Sequence, residues 1–451
     1  MSSNRHVVII GNGIAGVTCA RFLRKQDEKV RITLISGESK YFFSRTALMY
    51  IYMGHMKFEH TQPYEDWFWE KNRLELKEAW VSSVDFTSKK LSFQADESMD
   101  YDVLVIATGS KPNKFGWPGQ DLAGVQGLYS KQDLELMEKT TSNGVNRAVI
   151  VGGGLIGIEM AEMLAYKKIP VTFLVRESGF WGNVLPKEES NLVSRHIKEH
   201  HFDLRLGEEL DSILADQNAH VKAVKTKSGE EIRCQFVGLT AGVSPNVDFL
   251  RNTELELNRG VKVDFCFRTN IPDVYSIGDC AEFHEAPASD RKHVEQVWYT
   301  GRMHGETLGY ILGGHQVTYK PGVWFNSAKF LDIEYQTYGT VPARWDDEQN
   351  KSFYWEHHSG KVAFRMLMNL QGNIVGVNNF GFRLRHEFFD RAIREQWAGA
   401  KVISMLNKAN FDPEFFDPYY IEIQQAYKDQ FGGDIKVERR SFIQKLFGAK
   451  A

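Results

Sequence analysis

The sequence predicts an α/β chain: two three-layer units of alternating strands and helices, then a smaller α+β unit. Three observations predict it. At "HVVIIGNGIAGVTCARFLRK" an apolar strand runs into a glycine-rich turn and a helix. The same succession recurs at "NRAVIVGGGLIGIEMAEMLAYKKIPVTFLVRES". From Tyr319 onward the pattern changes to short alternating strands with glycine-containing turns, the mark of an antiparallel sheet. Bulk properties agree. The 451 residues are 42% hydrophobic and 25% charged, which suits a large buried core shared by more than one domain. A net charge of -3 without a basic excess speaks against nucleic acid as a partner.

In the first turn Gly11 allows the tight bend, Gly13 lets a pyrophosphate approach the backbone, and Gly16 lets helix and strand pack closely. Ile14 and Ala15 complete the turn and open the helix. That N-terminus offers unpaired N–H groups and a positive dipole end to phosphates. The following strand, "VRITLIS", ends on Ser36 where a ribose-binding acid is usual. Glu38, two residues on, is expected to reach the ribose instead, the alternative being a solvated loop acid. The second turn repeats the device with Gly152, Gly154, Leu155, Ile156 and Gly157 after strand residues Ala148 to Val151. Its second strand ends at Val175, followed by Arg176 and Glu177. A neutral residue followed by arginine leans to NADPH over NADH, and a pairing with Glu177 would weaken that lean. Two complete units of this Rossmann-like kind imply two dinucleotides, and hence electron transfer between a flavin and a nicotinamide.

Two further stretches carry a resemblance. "YDVLVIATGSKPN" is a strand ending in Ala107, Thr108 and Gly109, and "TNIPDVYSIGDCAEF" is a strand ending in Gly278 and Asp279. In this order with the two turns, they resemble the FAD-dependent pyridine nucleotide-disulfide oxidoreductases, from Met1 to about Gly314. Within that family the chain is most similar to the ferredoxin, rubredoxin and nitrite reductase flavoproteins. The resemblance implies two Rossmann-like three-layer domains plus an α+β C-terminal interface domain. The expected boundaries are 1–118 with 245–318 for FAD, 119–244 for NAD(P)H, 319–430 for the interface domain and 431–451 for a basic tail. It implies that Asp279 bonds the ribityl or pyrophosphate part of FAD. Val81 is implied near the adenine, and Gly242 at the cofactor site. Val297 and Trp298 in "EQVWYTGRMHGETLGYILGG" open a helix implied to start by the flavin ring; the alternative for Trp298 is a core position. Arg45, in the apolar run "YFFSRTALMYIYM", falls on an arginine that lies by the FAD in that branch. A guanidinium can fork onto a pyrophosphate oxygen. The lysine that the branch carries five residues on is Tyr50 here, a departure that puts a familiar acceptor in doubt.

The resemblance further implies hydride transfer from the nicotinamide to flavin N5, with Glu159 facing the nicotinamide as the candidate catalytic residue; an exposed helix acid is the alternative. Electrons would then pass to a carrier such as an iron–sulfur protein. A redox-active dithiol is not expected, because Cys19, Cys234, Cys266 and Cys280 show no close pair. Nor do they form a zinc pattern, and no metal is expected. A quinone at a membrane surface is the second acceptor class: Phe442, Ile443, Leu446 and Phe447 recur at helical spacing, flanked by Arg439, Arg440 and Lys445. A non-enzymatic, NAD(P)H-responsive flavoprotein is a third reading, and a homodimer stays open. No stretch approaches 18 apolar residues and the N-terminus enters a strand directly, so the expectation is a cytoplasmic chain, peripheral to the membrane at most.

Overall fold

The structure, a computed structural model, describes residues 5–94, 96–142, 144–411 and 417–432. The chain divides into two compact units. The first holds the residues up to Gly152, Met160–Val171 and Leu210–Pro321; the second holds Gly153–Glu159, Thr172–Glu209 and the residues from Gly322 on.

The first unit is built on a five-stranded sheet in the order Val274–Ser276, Val103–Ile106, His6–Ile10, Arg31–Ser36, Leu74–Glu78. Every neighbouring pair is parallel. The central strand reads as a continuous apolar run because both faces are covered: Val7, Val8 and Ile9 are wholly buried. The helix Ile14–Gln26 follows the first strand and packs along Trp298–Leu312. Four glycines, Gly301, Gly305, Gly309 and Gly313, line that contact. At Gly305 a Cβ would stand 2.3 Å from the Ala15 carbonyl oxygen, so the two backbones approach more closely than any side chain permits. An antiparallel sheet of Val81–Asp85, Lys90–Phe93 and Ser98–Asp100 belongs to the same unit. So do the parallel strands Ala148–Val151, Phe236–Leu239 and Val125–Gln126.

In the second unit Val171–Val175 pairs in parallel with Asp203–Leu206, beside the helix Lys187–Glu199. Its larger part is a five-stranded antiparallel sheet in the order Phe325–Phe330, Ile333–Gly339, Ile374–Phe380, Ala363–Asn369, Asn350–Glu356. The helices His386–Arg394, Gly399–Ser404 and Tyr420–Phe431 follow in the chain, and a core around Phe353, Phe364, Phe389 and Ile423 joins them to the sheet.

The first two strands of this sheet, Phe325–Phe330 and Ile333–Gly339, form a hairpin. Its turn is Leu331–Asp332, with Leu331 at φ +57°. Tight hairpin turns favour glycine or asparagine at positive φ, so this sequence gives no turn signal. The amphipathic segment expected within 431–451 lies outside the described residues from 433 on. Among the described residues, no helix is long and apolar enough to cross a membrane.

Candidate functional site

Three strands of the first unit, His6–Ile10, Val103–Ile106 and Val274–Ser276, end side by side. Their C-terminal edge is where open α/β sheets take ligands, because the connections there diverge and helix N-termini face outward. Gly11 takes φ +113°, and a Cβ would lie 2.1 Å from the Ala107 carbonyl oxygen. Gly16 is as constrained, its Cβ position lying 2.1 Å from the Gly11 carbonyl oxygen. Gly13 differs: no atom comes within 4 Å of its Cβ position. Gly13 is also the N-cap of Ile14–Gln26, and no side chain caps that end. The first N–H groups and the positive dipole end are therefore available to a phosphate.

Gly278, at φ +74°, brings the next turn against Ala15. Asp279 follows, and its Oδ2 accepts from Ser110 Oγ at 3.0 Å and from the Tyr129 hydroxyl at 3.2 Å. Burial pushes the Asp279 carboxyl above its ordinary range, and the Ser110 and Tyr129 hydrogen bonds and the Arg45 charge work the other way. The Tyr129 hydroxyl also accepts from the Ser110 N–H at 3.0 Å and crowds Gly109, whose φ is +68°. Thr108 donates to the Asn246 carbonyl at 2.7 Å. Gln296 donates to Ser110 Oγ at 2.8 Å, one residue before Val297, the N-cap of Trp298–Leu312. Trp298 itself is 37% exposed, so it is not the core tryptophan of the alternative expectation.

Arg45 forks onto Glu38, with both hydrogen bonds at 2.7 Å. It also donates to the Tyr129 carbonyl at 2.5 Å and lies 4.4 Å from that ring's centre. Burial opposes its charge, and the Glu38 carboxylate more than compensates, holding the guanidinium above its usual range. Glu38 additionally accepts from the Lys131 N–H at 2.8 Å. The two residues expected at separate parts of the cofactor thus form one pair here. Val81 is half-buried at the start of its strand. Beside it Trp80, 49% exposed, lies flat against Gly37, where a Cβ would come within 2.2 Å of the indole. Sequence reasoning passed over Trp80, although a tryptophan next to Val81, the residue expected near the adenine, was a usable signal.

It also missed a buried network behind Asp279. The Gly278 N–H donates to His304 Nδ1 at 3.1 Å, which leaves the proton on Nε2, facing Glu295 at 3.4 Å. Glu295 also accepts from the Tyr319 hydroxyl at 2.6 Å and from Arg291 at 3.0 Å. Burial tends to raise the Glu295 carboxyl, yet His304, Tyr319 and Arg291 hold it below the ordinary range. No motif links these residues; only the fold collects them.

The two units divide the second turn between Gly152 and Gly153. Gly152 takes φ +120°, with its Cβ position 2.9 Å from the Thr240 carbonyl. Gly242, at φ +88°, accepts through its carbonyl from the Asn113 N–H at 3.1 Å. In the second unit Gly153 abuts Val175, and Gly154 faces only the edge of Trp181, 3.8 Å from its Cβ position. Leu155 and Ile156 open the helix Leu155–Tyr166 and are half-buried; Gly157 is buried and Glu159 is half-buried. Arg176 is 71% exposed and pairs with Glu177 at 3.1 Å. Trp181 holds φ +55° and packs on Phe330 and Tyr335 at 5.6 and 5.9 Å.

All four cysteines are free. Cys19, Cys234 and Cys280 are buried, which pushes their thiols up, Cys234 to about 12. A buried thiol without a partner is a poor nucleophile. Tyr50 stacks near His55 at 6.3 Å and offers no cation.

A model of the pyridine nucleotide-disulphide oxidoreductase family matches residues 5–305. The nitrite reductase (NAD(P)H) of Bacillus subtilis strain 168 is 27% identical over 281 residues, 62% of this chain and 34% of that protein. The rubredoxin-NAD(+) reductase of Pseudomonas putida is 28% identical over 277 residues, 61% of this chain and 71% of that one. The chain thus spans about a third of the first relative and most of the second. In fold it is similar to the crystal structure of a ferredoxin reductase from Rhodopseudomonas palustris: TM-score 0.75, 22% identity, 84% of this chain and 91% of that one covered.

Proposed function

The chain belongs to the pyridine nucleotide-disulphide oxidoreductase family, and from that premise we propose that it is an FAD-dependent NAD(P)H oxidoreductase whose acceptor is a one-electron carrier such as an iron–sulfur protein. The observation that carries this is the occurrence of two strained glycine turns, Gly11 and Gly152, with four free cysteines, three of them buried. Bound FAD would supply a hydride acceptor that can release electrons singly.

The chain's own groups bind, orient and exclude. Gly11, Gly13, Ile14, Ala15 and Gly16 present uncapped N–H groups to the FAD pyrophosphate. Asp279 accepts from the ribityl hydroxyls, and Ala107, Thr108 and Gly109 shape the wall beside it. Val297 and Trp298 start a helix at the ring, where the dipole's positive end favours electron density. Glu38 and Arg45 act as a pair: the acid takes the ribose, and the guanidinium, oriented by that acid, faces a phosphate. Val81 lies at the adenine, with Trp80 as its platform. NAD(P)H is held by Gly152, Gly154, Leu155, Ile156, Gly157, Arg176 and Gly242. Glu159 orients the nicotinamide carboxamide and moves no proton, because hydride transfer needs ring alignment and dryness. The lean to NADPH is weak, since Arg176 already has Glu177. The domain division follows 1–118 with 245–318, 119–244 and 319–430.

Anaerobic stopped-flow mixing tests the proposal. The purified chain should be yellow, and NADH or NADPH should bleach its flavin band. Reoxidation should be fast with a ferredoxin or rubredoxin and slow with disulfides. A colourless protein, or reoxidation by a disulfide alone, would refute it.

A further inference from the structure

The helix Lys187–Glu199 carries His196 one turn before its C-cap, His200. Residues four apart share a helix face, and both imidazoles direct Nε2 at one oxygen, Asp332 Oδ1. His200 lies 2.9 Å from it, and His196 contacts it directly. One candidate ligand atom from each of the three residues lies within 4.8 Å of the other two. Lys361 Nζ holds the other carboxylate oxygen, Oδ2, at 3.1 Å, which leaves Oδ1 to the histidines. Asp332 is placed by the hairpin turn described above. None of these residues belongs to the nucleotide sites.

We propose that His196, His200 and Asp332 form a binding site for a divalent transition metal of the zinc class, with water completing the shell. His196 is 1% exposed and has a carboxylate at each ring nitrogen: Asp332 at Nε2, and Glu199 Oε2 at 3.6 Å from Nδ1, an atom with no hydrogen bond of its own. Neutral imidazole has one proton for two such neighbours. A cation at Nε2 removes the conflict: Nδ1–H turns to Glu199, and the Nε2 lone pair meets a positive charge instead of a carboxylate. This is the usual arrangement of a metal-bound histidine, whose second nitrogen donates to a carboxylate. Two histidines at i and i+4 with one acid are a donor set that zinc accepts, at metal–ligand distances of about 2.0–2.2 Å. The three side chains need to part only slightly to admit an ion. His200 and Asp332, 39% and 54% exposed, give it a path from solvent. The ion would pin this end of the helix to the hairpin, as Arg365 pins the other end through Glu188 and Glu189 at 2.7 and 2.9 Å.

The test uses the untagged, flavin-loaded chain, stripped with a chelator and titrated with zinc chloride by calorimetry, then with cobalt(II) followed by visible absorption. A saturable site, a tetrahedral cobalt spectrum and a zinc-dependent rise in Tm are expected. His200→Ala and Asp332→Asn should each weaken binding about 100-fold or more, beyond what loss of a supporting partner costs, and should abolish the Tm response. Both positions are exposed enough for the variants to fold, and their flavin bleaching by NAD(P)H should match the parent's. Absence of saturable binding, or unchanged affinity in both variants, would overturn the proposal and leave a hydrogen-bonded cluster. Flavin content reports separately on the redox reading.

Discussion

Gly11 and Gly152 take nearly the same backbone angle, φ +113° and +120°, and each faces the carbonyl group at the end of a neighbouring strand. Around the first turn the polar groups interlock. Arg45 and Glu38 hold each other, Tyr129 bridges to Asp279 and Ser110, and His304 and Glu295 fix the Gly278 turn from behind. Around the second turn, among the described residues, Trp181 stands at the edge of Gly154, and the exposed Arg176 pairs with its neighbour Glu177. The contrast teaches that two like turns can carry unlike surroundings. Interlocked, half-buried charges suit a resident cofactor; an exposed charge such as that of Arg176 suits one that must leave after every cycle.

Five substitutions break or sharpen this contrast. The largest effect is expected at the first turn. Gly11→Ala should cost ~4 kcal/mol or more, the range of built-in steric conflict, and yield little folded flavoprotein. Gly13→Ala, with nothing within 4 Å, should as apoprotein melt near the parent apoprotein's Tm yet lose most of its flavin. If both behave alike in thermal melts, the cradle argument is wrong. Arg45→Met comes next. It strips Glu38 of its cation, and flavin retention on gel filtration should fall about tenfold, as expected for loss of a charge-assisted fork.

Glu295→Gln should destabilise by about 1–3 kcal/mol at neutral pH, the cost of a broken buried hydrogen-bond network. Glu295 is held below its ordinary range in the folded chain. Its contribution is therefore present above the unfolded pKa and lost as pH falls through the lower folded value. Urea melts of parent and variant should converge in acid, and a gap that widens there would contradict the network. Arg176→Ala should be the mildest. Stability should move by less than about 0.5 kcal/mol at this exposed position. The NADPH-to-NADH ratio of kcat/KM should drop by less than about tenfold. A larger drop would mean that the second turn is more finely furnished than its side chains suggest.

Much of the fold was legible. The strands at Ala148–Val151 and Val171–Val175 stand where the apolar runs put them, since fully covered strands need continuous apolar residues. The strained glycines were legible for the same reason: backbone demand leaves few residue choices. The Leu331–Asp332 turn was not, because leucine at positive φ carries no signal in sequence. Nor was the Glu295 network, whose members His304 and Tyr319 lie 9 and 24 residues away and meet only after folding. Arg45 stood out in sequence as an arginine inside an apolar run, with a phosphate as its expected partner. Its partner in the structure is Glu38, which was expected at the ribose or as a solvated loop acid.

The glycine ladder on Trp298–Leu312 has a mechanical consequence. Its backbone lies on the backbone of Ile14–Gln26, with Gly301 on Ile14 and Gly313 on Gln26 at the far end. Two helices in contact over that length act as one bar, and no rotamer can lengthen or shorten it. One helix begins at the phosphate turn and the other beside Asp279, so the bar serves as a gauge block between them. At Gly305 and Gly309 the gauge is set by main chain, while the side chains of Ile14 and Gln26 meet Gly301 and Gly313 at its two ends.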